Sequence, residues 1–262
     1  MLAPLRRIGS HGTVIDPHRS IATVRLRSGD VLLAIALAVG TTSALLASLG
    51  AVGRGWTWMF ARLAGPLALG QGVGVRAIDA RPFGTFGVPY FNVAAAPPGL
   101  TTWWITLVVT VVIVAASFAL SDDFLPLAYA LRVAALVQAT ALAFFRIVPE
   151  RFPYDLQHYI SSMMLSGLAM LLVVPVMLGL TFYVIDVGLA RKIGLTAAML
   201  GHLLVFIPLQ YALQSYIVAH ASLLLLPVLF MLFGLLPEVM ILIALYGWGM
   251  SWPALRTRSR RE

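Results

Sequence analysis

Apolar runs of about twenty residues recur six times along the chain, separated by short polar or charged stretches. They cover residues 31–53, 102–120, 125–145, 159–185, 194–217 and 221–249. A helix rising 1.5 Å per residue needs ~20 residues to cross a hydrocarbon slab of ~30 Å, and each run reaches or nearly reaches that length. None alternates polar and apolar residues as a lipid-exposed barrel strand does. No internal repeat is visible. The pattern predicts an all-α integral membrane protein with six transmembrane helices. Ser28 and Asp30 stand where a cap for the first helix is expected.

One stretch departs from this rhythm. Residues 54–101 separate the first two runs and are rich in Gly, Pro and aromatics. Trp56 to Leu63 reads as a helix at the headgroup level, where Trp is favoured. The remainder reads as loop or re-entrant backbone, so the stretch is expected to form an outer interfacial or re-entrant segment. Gly70-Gln-Gly-Val-Gly74 lacks the spacing and flanking strand of a dinucleotide loop. Asp79, Arg81, Phe83, Phe86, Tyr90 and Phe91 make this stretch the most ligand-like surface. Such groups suit sugars or lipid headgroups, and suit equally a loop lying on the bilayer.

Composition narrows the class. Hydrophobic side chains make up 60% and charged ones 11%, with a mean hydropathy of +0.93. Soluble domains carry about half apolar and about a quarter charged residues. Disorder is excluded, and the composition argues strongly against an ordinary soluble domain. The absence of cysteine removes disulfides, thiolate metal sites, cysteine nucleophiles and iron–sulfur clusters. No cleavable leader is read ahead of the first run.

The net charge of +8 is carried almost wholly by Arg, Lys192 being the one lysine. In a membrane protein such an excess is first a topology and headgroup signal. No basic stretch is interleaved with aromatics, so nucleic acid is not an expected partner. With both termini cytoplasmic, eleven basic residues lie inside and six outside. The inner set is Arg6, Arg7, Arg19, Arg25, Arg27, Arg191, Lys192, Arg256, Arg258, Arg260 and Arg261. The expected order is a basic cytoplasmic segment over 1–30, a six-span domain over 31–253 and a basic cytoplasmic tail over 254–262. A bacterial inner membrane is the expected location.

Function in such a chain is sought where polar groups enter the membrane. Arg132, His202 and Glu238 fall about 10, 12 and 13 Å deep in three different spans. They form one predicted layer, with Asp186 just below it. A mid-helix charge costs at least ~2.5 kcal/mol on insertion scales and needs a partner or a water path. The layer reads as a proton or ion relay, or as a structural Arg132–Glu238 pair joining two spans. Gln210 and Gln214 share a helical face with His202 and could line a pathway or bond neighbouring helices. Pro175, Pro208, Pro227 and Pro237 interrupt three spans, and a kink beside an intramembrane acid recurs at transporter sites.

Neither a metal nor another cofactor is expected. The nearest approach to a ligand set is Asp155, His158 and His220 on the outer side. No nucleophile motif such as G-x-S-x-G occurs. Three functions stay open. The first is a non-catalytic integral subunit serving translocation, permease-like or channel-forming, within a multi-protein membrane assembly. The second is a structural subunit of an envelope-polymer or electron-transfer complex. The third is an enzyme acting on a lipid-linked substrate at the outer face. The expected partners are the lipid bilayer and other membrane subunits.

Overall fold

The computed structural model describes residues 28–69, 72–79, 85–93, 95, 97–152, 155–182 and 188–251, with backbone alone for 7–8 and 14–15. Asp186, Gly70, Arg81, Phe83, the tail 254–262 and most of the segment 1–30 lie outside the described residues. Six helices are long and apolar enough to cross a membrane.

The long helices are α1 (Ser28–Ala64), α2 (Leu100–Ala119), α3 (Leu125–Ile147), α4 (Leu156–Phe182) and α5 (Leu189–His220). The sixth span is interrupted. It consists of α6 (Leu226–Phe233) and α7 (Leu236–Met250), joined through Gly234 and Leu235. Two short strands, β1 (Arg7–Ile8) and β2 (Val14–Ile15), pair antiparallel near the N-terminus.

α4 and α5 form the centre. In their most apolar stretches 39% and 44% of residues are buried, against 6% in α1 and 11% in α2. Met164 and Leu171 of α4 and Leu203, Ile207 and Tyr211 of α5 are wholly enclosed. α2 with α3, and α4 with α5, run antiparallel. Trp103 near the start of α2 donates to the Leu142 carbonyl near the end of α3 at 2.9 Å. Tyr159 of α4 meets Gln214 of α5 in the same sense, start against end.

Two basic side chains tie helix pairs together at the opposite end. Arg132 on α3 donates from Nη2 to the Ser117 carbonyl at 3.1 Å, and Ser117 lies in the last turn of α2. Lys192 on α5 donates to the carbonyl of Phe182, the last residue of α4, at 2.6 Å. Cations suit these positions because the final carbonyls of a helix lack amide partners and carry the negative end of its dipole.

α1 differs from its expected extent. It continues past residue 53 to Ala64 as one helix of 37 residues, about 55 Å long. Trp56 to Leu63 forms its last turns rather than a separate interfacial helix. Arg54 ends the apolar run but does not break the helix, since a charge changes solvation and not backbone geometry. Trp56 is buried and donates to the Leu204 carbonyl of α5 at 2.8 Å.

The stretch after α1 also differs from the loop or re-entrant backbone expected. It contains an antiparallel hairpin, β3 (Val73–Asp79) and β4 (Thr85–Phe91), with Val73 opposite Phe91 and Asp79 opposite Thr85. Phe86, Val88 and Phe91 of β4 are buried against α1 and α4. The Phe91 ring stacks on Phe60 of α1 at 4.5 Å. Pro89 is tolerated in β4 because both strands of a two-stranded sheet are edges. Strand and helix approach closely at Gly53, where a Cβ would lie 2.6 Å from the Gly87 carbonyl oxygen.

Candidate functional site

The break in the sixth span creates the most polar place inside the bundle. Pro237 has no amide hydrogen, so the carbonyl of Phe233, four residues earlier, loses its helical partner. Gly234 permits the break. A Cβ there would sit 2.3 Å from the Phe230 carbonyl oxygen, so any larger residue forces the backbone to move.

Side chains from α5 replace the lost helical bonds. Gln210 donates to the carbonyls of Phe233 and Gly234 at 2.6 and 2.7 Å. Gln214 donates to the Phe233 carbonyl as well. The Gln214 oxygen in turn accepts from the Tyr159 hydroxyl at 2.8 Å. A backbone polar group left bare in hydrocarbon costs several kcal/mol, which explains why two amides converge on one carbonyl.

One turn beyond the break, Glu238 is fully enclosed on α7. Its Oε2 lies 3.2 Å from Nε2 of His202 on α5. The His202 ring stacks on Phe206, with centroids 4.9 Å apart. A single proton on either partner leaves the pair net neutral, so the proton can change owner without placing net charge in the membrane. Glu238 Oε1, Gln210 Oε1 and the Tyr211 hydroxyl are buried without a hydrogen-bond partner among the described residues.

His202, Gln210, Gln214 and Glu238 are thus brought together around the break. Arg132, expected in the same layer, is not. Its Nε donates to Ser117 Oγ at 3.2 Å, and its guanidinium sits over the Phe118 ring at 4.1 Å. Equal depth did not bring contact, because α3 turns this residue toward α2. We predict that Arg132→Met weakens the α2–α3 pair by about 1–2 kcal/mol, roughly two bonds' worth, in detergent unfolding. The same variant should leave the His202 ring resonances unmoved. A shift there would place Arg132 back in the polar cluster.

The outer-side set Asp155, His158 and His220 does not converge. His158 Nδ1 accepts from the Arg76 guanidinium at 3.0 Å, since arginine can only donate. His220 Nδ1 donates to the Tyr216 carbonyl at 3.0 Å. Among the described residues no three His, Cys, Asp or Glu side chains gather in a way that could hold a metal ion. The Arg76–His158 contact instead ties the hairpin to α4, where Gln157 also donates to Asn92 at 2.9 Å.

Three participants were not foreseen from the sequence: Tyr159, Tyr211 and the carbonyls of the break. Tyr211 carried a usable signal, as a tyrosine in mid-span between two glutamines on one helical face. Compared with known proteins, the chain matches no family model, and neither a curated protein nor a solved structure matches it.

Proposed function

We propose that this protein is an integral membrane subunit serving translocation, and that the cluster at the helix break handles a proton or another small cation. The observation that carries this reading is the contact of enclosed Glu238 with partly buried His202 beside an interrupted span. Discontinuous helices with an intramembrane acid are a recurring device at transport sites, because the break exposes polar backbone where the bilayer otherwise forbids it. The six-span arrangement over 31–253, with both termini cytoplasmic in a bacterial inner membrane, belongs to this proposal. Its support is the arginine-rich segments before the first span and after the last. Membership of a larger assembly is supported by α1 and α2, whose apolar surfaces are barely covered within the chain.

Proton flux into vesicles reconstituted with the Glu238→Gln protein tests the reading. The amide keeps the shape and the bond to His202 but cannot titrate. Flux should fall at least tenfold while thermal unfolding in detergent stays within ~1 kcal/mol of the parent. Undiminished flux by a folded variant refutes the relay.

A structural role is the second reading, favoured by the two glutamines that satisfy the broken helix. Under it the polar cluster only holds α5 to the sixth span. His202→Met together with Glu238→Met would then unfold no more easily than the parent and would function normally.

A further inference from the structure

A cleft of about 540 Å³ lies between the outer face of α1 and the hairpin, bordered by Gly50, Gly53, Arg54, Trp58, Val75 and Gly87. Its volume falls within the range of small-molecule sites. Helix and strand approach closely at Gly53 and Gly87, so glycine backbone forms part of the lining. Trp58 and Val75 are 61% and 49% exposed, so the cleft opens away from the bundle.

Arg54 is the first charge after an uncharged run of 23 residues, Val31 to Gly53, which is enough to cross the hydrocarbon. A cation at that place ordinarily extends toward water. Arg54 is exposed, and its side chain lies back along α1. Its Nη1 lies 3.5 Å from where a Cβ on Gly50 would stand, one turn back toward the membrane interior. Among the described residues no hydrogen bond or ion pair engages it, and no acidic residue borders the cleft. Two turns further along α1, Arg62 sits over the Trp58 ring at 5.5 Å. An exposed guanidinium that shares the cleft with an indole, with a second arginine on that indole and no acid among the described lining residues, is complementary to one anion that arrives from the membrane side.

We propose that this cleft binds the phosphate of a single phospholipid, with Arg54 donating two bonds to it and the acyl chains descending along α1. Planar guanidinium matches phosphate in a two-pronged geometry, and charge-assisted bonds of this kind are the strong ones. The site is separate from the polar cluster at the helix break and does not depend on what that cluster carries.

Native mass spectrometry of the full chain, released from detergent and titrated with phosphatidylglycerol, reads the site directly. The parent should retain one tightly held lipid. Arg54→Gln should weaken that binding about tenfold, the equivalent of one charge-assisted bond. Gly50→Leu keeps the arginine, meets only its flexible tip and fills the floor, so it should weaken binding similarly. Arg146→Gln removes another exposed arginine outside the cleft and should leave binding unchanged. Diacylglycerol, lacking phosphate, and glycerol phosphate, lacking chains, should both bind at least tenfold more weakly than the lipid. Equal losses from Arg54→Gln and Arg146→Gln overturn the proposal in favour of diffuse surface charge. Parent-like binding by Arg54→Gln overturns it outright, and would leave Arg54 to pair with an acidic group on a partner protein.

Discussion

Replacing Gly53 with alanine should destabilise the protein, while the same change two residues later should stabilise it. Both glycines lie in α1, and alanine is favoured over glycine in a helix by about 0.5–1 kcal/mol. At Gly55 nothing lies within 4 Å of the new Cβ, so that gain is realised. At Gly53 the methyl would stand 2.6 Å from the Gly87 carbonyl oxygen, and the neighbour is backbone that cannot swing aside. The hairpin must lift off α1, opening the Phe60–Phe91 stack and the contacts of Val88. A net loss of about 3 kcal/mol is expected, at the upper end for an overpacked contact. Thermal unfolding in detergent gives the sign, and hydrogen exchange across β3 and β4 locates the damage. Alanine scores of equal sign at the two positions would show that strand and helix are not in contact.

The second large effect is expected at the glutamines, and it should be strongly non-additive. The Phe233 carbonyl accepts from both Gln210 and Gln214, so Gln214→Leu leaves it one donor. That single change should cost about 1 kcal/mol, in line with interhelical bonds in membrane proteins. Gln210→Leu combined with Gln214→Leu strips the carbonyl completely and bares Gly234 as well. The double variant should lose about 4 kcal/mol, well beyond the sum of the singles, because only then is the doubly bonded Phe233 carbonyl left unpaired in hydrocarbon. A continuous sixth helix removes the need for these donors. In a background carrying Gly234→Ala and Pro237→Ala, the double glutamine replacement should therefore cost less than half as much. An unchanged cost there would mean that the glutamines do something other than satisfy the break.

The spans are easy to read in the sequence because the bilayer imposes one length and one composition on every crossing segment. The polar elements outside that rule are harder. Arg54 ends the apolar run, and reading it as a helix end hides the last three turns of α1. The hairpin is obscured by its own glycines and prolines. Val73, Val75 and Ile78 before the five residues 80–84, with Phe86, Val88 and Tyr90 after them, do carry a strand–turn–strand signal. Gly74, Gly87 and Pro89 dilute it, and the two glycines stand where a Cβ would collide with Tyr90 and Val75.

In the polar cluster, Glu238 and His202 stand out against apolar surroundings at similar expected depths, and the structure sets them 3.2 Å apart. Depth says nothing about rotation around the helix axis, and rotation is what takes Arg132 to Ser117. The two glutamines were legible as a stripe. Their task was not, because it depends on a carbonyl that no side-chain pattern reveals.

The two basic ties have a consequence for how this chain enters a membrane. Arg132 meets Ser117 across 15 residues, and Lys192 meets Phe182 across 10. Each cation finds its acceptor within one helical hairpin, so α2 with α3, and α4 with α5, can be delivered to the bilayer as pairs whose charge is already answered. The His202–Glu238 contact spans 36 residues and waits for the last span to arrive. Insertion and completion of the polar centre are therefore separate events in the life of the chain. Until the sixth span docks, the bundle is embedded but its centre holds an unanswered histidine.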